Sequence, residues 1–302
     1  MKKLITFSLF LFVLAFTSRI DAWCLERDIT LVNSYRHDLI QSLIYAYNPP
    51  GTLVLTDDLK ARNLCMYQFG GKVWFKTCGW VTRFEGDYAW GNKGKYRDTV
   101  TQEPSGIESV QTSDVCKVRA KDFSFGTGYL FICLNPCFSL GPVGGWSFNQ
   151  QKFHTGSALV DGVFSPALSR LTYSNQWKGP WLGVDAVWHS SCFDLYTGYE
   201  FHLGKWHASY ELARRDVQGG PFSDNRRSDS AHASVFYIDG KYRFCGWTLG
   251  VGFRFANWRA THGCETPSHT SFANLGLPNE EDKVKHARWR TYTVSLDMGY
   301  FF

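Results

Sequence analysis

Apolar and polar residues alternate with a period of two in long runs of the C-terminal half, from about Gly179 onward. Residues 193–203 and 242–256 show the pattern, and so does the last run, in which apolar positions such as Val294 and Leu296 alternate with Ser295 and Asp297. A period of two is typical of a β-strand whose two faces differ in polarity. The runs exceed the roughly 9 to 11 residues that a tilted strand needs to cross a bilayer.

Two dipeptides, Gly204-Lys205 and Asp239-Gly240, are predicted to be tight hairpin turns between these runs. Counted back from the C-terminus, they alternate with longer connections at residues 257–285 and 216–229. Short periplasmic turns that alternate with long external loops are typical of an outer-membrane barrel. The short connection at residues 189–191 does not fit this series.

Period two alone does not say which face meets lipid, because a soluble barrel turns its apolar face inward. Here the less apolar faces carry Gly, Thr, Ser and isolated charges of both signs, and Trp and Tyr recur near strand ends. These features favour a membrane barrel with aromatic girdles. We therefore predict an all-β fold, a transmembrane antiparallel β-barrel of about 12 strands (range about 8 to 16). A soluble secreted β-protein is the alternative.

The N-terminus predicts export. Lys2 and Lys3 precede an apolar run at residues 4–16, and the small Ala22 follows, which predicts a cleaved signal peptide over residues 1–22. The expected localisation is the bacterial outer membrane. The expected partners are outer-membrane lipid and the barrel-assembly machinery, with Met298, Tyr300 and Phe302 as the C-terminal assembly signal.

Residues 23–70 are predicted to be a separate N-terminal segment, with the barrel over residues 71–302. Apolar residues from Val32 to Tyr47 recur near i, i+3, i+4 and i+7, which suggests an amphipathic helix that ends at Pro49-Pro50-Gly51. This segment could be a plug, a periplasmic piece or a misread strand.

The chain contains 9 cysteines among its 302 residues and has a net charge of +5. In the oxidising compartment that the signal peptide implies, disulfides are expected, and the odd count leaves at least one thiol free or paired with another molecule, such as another envelope protein. Spacing does not give the pairing. No basic run suggests nucleic acid as a partner. The candidates for disulfides are Cys24, Cys65, Cys78, Cys116, Cys133, Cys137, Cys192, Cys245 and Cys264.

The sequence gives no sign of catalysis. It has neither a G-x-S-x-G elbow nor an H-E-x-x-H helix, so we predict no enzyme and no cofactor. His262, Cys264 and His269 lie in a predicted loop without a C-x2-C pair, so no metal is expected.

Charged residues on the predicted lumen face are the nearest candidates for a functional site. Such charges select ions in an open channel, or they pair and close a small barrel, and both outcomes stay open. The candidates are Asp185, Glu200, His202, His207, Glu211, Arg254 and Asp297.

Two stretches resemble a known family. Residues 177–185 (WKGPWLGVD) and 121–129 (KDFSFGTGY), together with the last strand, resemble the major-outer-membrane-protein-like porins of Legionella and chlamydia-related bacteria over about residues 117–302. The resemblance implies a surface-exposed barrel that conducts small solutes, in envelopes where cysteine-bearing outer-membrane proteins are cross-linked by disulfides. We therefore expect a porin that passes small hydrophilic solutes, including ions, by passive diffusion. The alternative is a closed, disulfide-cross-linked surface structural protein or adhesin.

Overall fold

The structure is a computed structural model and describes residues 25–48, 52–132, 137–165, 171–212, 222–267 and 282–301. The predicted signal peptide, Cys24, Cys133, His269 and Phe302 lie outside these residues. Within the described ranges, no helix is long and apolar enough to cross a membrane.

In the described part of the chain, twelve antiparallel strands form a single sheet, and two of them, β5 and β7, are short segments paired with β6. The strands are β1 (Leu25–Asn48), β2 (Thr52–Thr77), β3 (Trp80–Gln102), β4 (Ile107–Tyr129), β5 (Phe131–Ile132), β6 (Phe138–Val160), β7 (Val163–Ser165), β8 (Leu171–His189), β9 (Phe193–Leu212), β10 (Phe222–Phe244), β11 (Trp247–Pro267) and β12 (Asp282–Phe301).

The sheet closes into a barrel. Without β5 and β7, ten long strands remain, and each pairs with the next along the chain. The pairing of β12 with β1 and that of β4 with β6 complete the ring. Closure removes both sheet edges, so the backbone groups of every long strand can pair within the sheet. The predicted all-β barrel is confirmed.

Two two-residue turns, described below, lie at one end of the barrel, hereafter the turn end. The opposite end also has a two-residue turn, Asp161-Gly162 between β6 and β7, and a four-residue connection at residues 103–106. Cys78-Gly79 joins β2 to β3, and Cys245-Gly246 joins β10 to β11. Both residues of each pair have positive φ, 47° and 87° in the first and 48° and 81° in the second, as the two-residue hairpin turn requires. The short connection at residues 190–192, which joins β8 to β9, lies at the same end. Outer-membrane barrels place their short turns in the periplasm.

Both predicted turns at Gly204-Lys205 and Asp239-Gly240 are wrong. Gly204 lies inside β9 and Asp239 inside β10, and both strands continue through these positions without a hairpin. The connections at the other end, the loop end, include residues 213–221 and 268–281, which lie outside the described residues.

The predicted helix is also wrong, because residues 32–47 belong to β1, which pairs with β2 and β12 along its length. Val32, Ile40 and Ile44 are buried on the inward face, and their spacings of eight and four residues fit both a helix and a strand. Outward apolar residues such as Tyr35 add the odd spacings that imitate a helix. The barrel wall therefore begins at Leu25 and includes the segment predicted to be separate.

The polarity of the two faces reverses part of the way along each long strand. On β11, the outward side chains Leu249 and Val251 are apolar and exposed (50% and 58%), as a lipid-facing surface requires. Further toward the loop end, Trp258 and Ala260 are buried inside, and the outward residue between them is Arg259, which is exposed. This second arrangement is that of a barrel in water. We call the part with apolar outward residues, such as Leu249 and Val251, the membrane zone. The part nearer the loop end, with Trp258 and Ala260 buried inside, is the outer zone.

Candidate functional site: the barrel interior

A network of buried ion pairs fills the interior of the membrane zone. Arg83 on β3 contacts Asp185 on β8 at 3.2 Å and Glu200 on β9 at 2.5 Å. Tyr237 on β10 donates a hydrogen bond to Asp185 at 2.7 Å, so four strands meet at this guanidinium. The guanidinium carbon of Arg83 also lies 4.6 Å from the ring centroid of Trp181, within range of a cation–π interaction.

Further pairs surround this centre. Lys72 contacts Asp239 at 2.9 Å and Asp297 at 3.7 Å. Arg254 contacts Glu85 at 2.7 Å across the barrel. Toward the turn end, Lys241 pairs with Asp28 and Arg243 with Asp194. Opposite charges from strands that are distant in sequence therefore meet throughout this zone, and a cavity of about 40 Å³ between them has room for roughly three water molecules.

An aromatic layer lies above the ion pairs, at the start of the outer zone. Trp177, Trp206 and Trp258 pack together, with ring centroids 5.9 Å apart for Trp177–Trp206 and 5.7 Å apart for Trp177–Trp258. Trp258 stacks on Trp289 at 6.2 Å. All four side chains are at most 6% exposed. Trp206 donates a hydrogen bond from Nε1 to Asn175 Oδ1 at 2.6 Å, which fixes its ring.

A second polar cluster lies near the loop end of the interior. Arg226 contacts Glu265 at 2.7 Å and Asp57 at 3.2 Å. Burial, and next the neighbouring Asp98, raise the pKa of the Asp57 carboxyl well above its ordinary value, although the charge of Arg226 opposes the shift. Tyr96 donates a hydrogen bond to Asp98 at 3.0 Å. The cluster lies in the interior above the aromatic layer.

Five of the seven sequence-predicted lumen residues lie on inward positions. Asp185, Glu200, His202 and Asp297 are buried, and Arg254 is partly buried. His202 lies 2.8 Å from Glu200 and 2.9 Å from Ser147, so it joins the network around Arg83.

His207 and Glu211 were predicted to face the lumen, and this prediction is wrong. Both are exposed on the outer surface of β9. The predicted turn at Gly204-Lys205 would have reversed the faces of the following residues. Because β9 runs straight through, Trp206 and Tyr210 point inward instead, and only the polarity reverses.

Sequence reasoning missed the basic partners Lys72, Arg83 and Arg226. Arg83 follows Val81, which is also buried, at a spacing of two residues. That alternation was a usable signal, since a charged residue in phase with a buried one on a strand faces the interior. The acids that Arg83 contacts are more than 100 residues away, and no local pattern identifies them.

Exposed thiols lie at the turn end. Cys78, Cys192 and Cys245 each occupy a different turn, and all three are exposed and free. Cys137 lies immediately before β6 at the same end. Among the other described cysteines, Cys65, Cys116 and Cys264 are free and lie on β2, β4 and β11. Met298 and Tyr300 are exposed on the outer face of β12, and their role as an assembly signal stays a prediction.

Comparison with known proteins supports the architecture. The structure is similar to that of the outer membrane protease OmpT from Escherichia coli, with 13% sequence identity and a TM-score of 0.70 over 95% of this chain and 100% of that one. A weaker match is the toluene transporter TbuX from Ralstonia pickettii, with 9% identity and a TM-score of 0.35 over 91% of this chain and 89% of that one. At these identities the likeness concerns the fold alone.

A search of curated protein sequences finds no match. A family model does match, over residues 30–302, and its description is Protochlamydia outer membrane protein. The expected relation to outer-membrane proteins of chlamydia-related bacteria is thereby confirmed at the level of the family. The chain belongs to the Pom family of Protochlamydia outer membrane proteins.

Proposed function

We propose that this outer-membrane barrel is closed and serves as a structural protein of the envelope. The observation that supports the proposal is the stacking of the ion-pair network under the aromatic layer. Together they place buried side chains from all parts of the ring across the lumen, among them Arg83, Glu200, Trp177 and Trp258.

Passive diffusion of hydrophilic solutes, the function of a porin, needs a water-filled passage. Ten strands give a narrow barrel, since diameter grows with strand number, and the smallest barrels are filled by their own side chains. Here most charged residues of the described lumen form ion pairs with one another, as Arg83, Lys72 and Arg254 do. Asp87 in the same cavity has no salt-bridge partner among the described residues. The extensive pairing favours a structural role for these charges over ion selection.

Liposome swelling tests this proposal. Vesicles that contain the refolded protein are transferred to an isotonic solution of a small sugar, and swelling is followed by light scattering. A closed barrel gives no more swelling than empty vesicles. Swelling that rises with the amount of protein would support the porin function instead. Heat-modifiable migration in detergent gels verifies that the barrel is folded in each preparation.

We further propose that the covalent partner of the barrel lies on the periplasmic side. Cys78, Cys192 and Cys245 are exposed in three separate turns. Neighbouring turns are two strands apart, which is about 10 Å, whereas disulfide-bonded residues have Cα atoms about 4.4 to 6.8 Å apart. These thiols are therefore better placed to react with another molecule than with one another.

The reaction is thiol–disulfide exchange with a cysteine-bearing envelope protein. The turn thiolate attacks one sulfur of a disulfide in the partner, the mixed disulfide forms, and the second sulfur leaves as a thiolate that takes up a proton. On non-reducing gels of cell envelopes, the triple variant C78S/C192S/C245S should lose the high-mass species that the unmodified chain forms. C116S is the matched control, because Cys116 is exposed on the outer zone. If the high-mass species were lost in C116S but kept in the triple variant, the partner would lie on the outer side of the membrane instead.

A further inference from the structure

Basic side chains project outward from the barrel directly above the apolar surface of the membrane zone. On β12, Arg290 is the next outward residue after Tyr292, about 7 Å further along the strand. In the direction of the loop end, Lys205 is likewise the next outward residue after Leu203 on β9, and Lys121 is the next one after Phe123 on β4. We call these outward basic residues the basic band. Its further members are Arg62 on β2, Lys152 on β6, Lys178 on β8 and Arg259 on β11.

The band is densest at two places, and the first is the β11–β12 pair. Arg259 and Arg288 lie directly opposite each other on these strands, and Arg290 is opposite Asn257. Like charges in directly opposed positions destabilise a sheet. Burial, followed by the charges of Arg290 and Arg259, lowers the pKa of Arg288. Arg288 donates a hydrogen bond from Nε to Oδ1 of the neutral Asn257, at 3.0 Å.

The second cluster lies on the β4–β6 pair. Arg119 is directly opposite Lys152, and Lys117 is opposite His154. The pKa of His154 is lowered by burial and then by the charges of Lys152, Lys117 and Arg119, while Glu211 on β9 acts in the opposite direction. Two separate surfaces of the same band thus concentrate positive charge.

Few carboxylates neutralise this band. In the described part of the chain, Arg259, Arg290, Arg119 and Lys152 form no salt bridge with an acidic residue. Lys205 does, with Asp229 at 3.1 Å. At the other edge of the membrane zone, the outward positions are mainly aromatic, including Trp80, Trp188, Trp247 and Tyr300. The charge therefore belongs to the edge nearer the loop end.

We propose that the basic band, and above all its two clusters, binds the phosphate groups of phosphorylated glycolipids in the outer leaflet. Arg forms bidentate hydrogen bonds with phosphate, and a phosphate between Arg259 and Arg288 would neutralise two charges that otherwise repel each other. The position specifies a lipid: the band begins where the apolar surface ends, which is the level of lipid headgroups.

Lipid binding to the detergent-solubilised protein, measured by native mass spectrometry, tests the proposal. The probes are bis-phosphorylated lipid A and the same lipid without phosphates. The unmodified protein should bind the phosphorylated form more tightly. R288Q/R290Q should weaken that binding roughly 30-fold, which corresponds to about 1 kcal/mol for each charge removed near a headgroup.

K283Q/K285Q is the matched control, since Lys283 and Lys285 are exposed on the same strand but further from the apolar surface. It should bind within a few-fold of the unmodified protein. Equal loss in both variants, or equal binding of both lipids by the unmodified protein, would overturn the proposal. Full displacement of the lipid by an equal concentration of inorganic phosphate would also overturn it, because the site would then be a general anion site. The comparison of the two lipids needs no variant, so it decides the question even if R288Q/R290Q does not fold.

Discussion

Replacing Trp206 with Ala tests whether the outer zone has an apolar interior. The side chain is 1% exposed, packs against Trp177, and donates a hydrogen bond to Asn175 at 2.6 Å. Truncating a buried Trp to Ala costs about 3 to 5 kcal/mol. Trp206→Phe keeps most of the ring but leaves Asn175 Oδ1 without its donor, which costs about 1 to 3 kcal/mol.

His207 gives the matched control, because it is the next residue and is exposed on the outer face. We expect His207→Ala to change the free energy of unfolding by less than about 0.5 kcal/mol. The measurement is urea unfolding of the protein refolded in lipid vesicles, followed by far-UV circular dichroism. A hairpin at Gly204-Lys205 would instead direct Trp206 toward lipid and His207 toward the lumen. A loss below about 1 kcal/mol in Trp206→Ala, or an equal loss in His207→Ala, would refute the continuous strand.

Three more predictions concern the interior and the turn end. Arg83→Gln leaves two buried carboxylates without their cation and should cost about 3 to 5 kcal/mol, and the double variant with Glu200→Gln should lose less than the sum of the single losses in the same urea assay. The unfolded chain releases the proton of Asp57 above about pH 4, whereas the folded protein keeps it until the pH approaches the raised pKa of this carboxyl. The unfolding free energy should therefore fall as the pH rises between these two values, and Asp57→Asn should flatten that dependence. Equal pH dependence in the unmodified protein and the variant would contradict this reasoning. Gly246→Ala places a Cβ at φ 81°, so it should lower the unfolding free energy by about 1 kcal/mol or more, and an unchanged value would exclude the strained turn.

The barrel itself could be predicted from sequence because lipid demands a regular pattern. On β12, Val294 and Leu296 alternate with Ser295 and Asp297, and the exposures of these residues follow the same alternation. The rule fails above the membrane zone. At Leu203 and Trp206 on β9 the apolar positions change from odd to even numbers, and the sequence pattern alone presents this shift as a turn. A strand that leaves lipid for water produces the same shift without one.

The interior could be predicted only in part. Asp185 and Glu200 were identified as inward-facing because each alternates with apolar neighbours. Their common partner Arg83 lies on β3, in the half of the chain where glycines and mixed polarity obscure the period. Ring closure alone brings these strands together, so the network depends on contacts that no local pattern contains.

Single-channel recording in a planar bilayer tests most directly whether the barrel is closed. Refolded protein, verified by heat-modifiable migration, is added to the bilayer, and the current is recorded over a range of voltages. The account predicts a silent bilayer, because the pairs around Arg83 and the aromatic layer around Trp177 fill the lumen. Uniform unitary steps that scale with the amount of protein would contradict it.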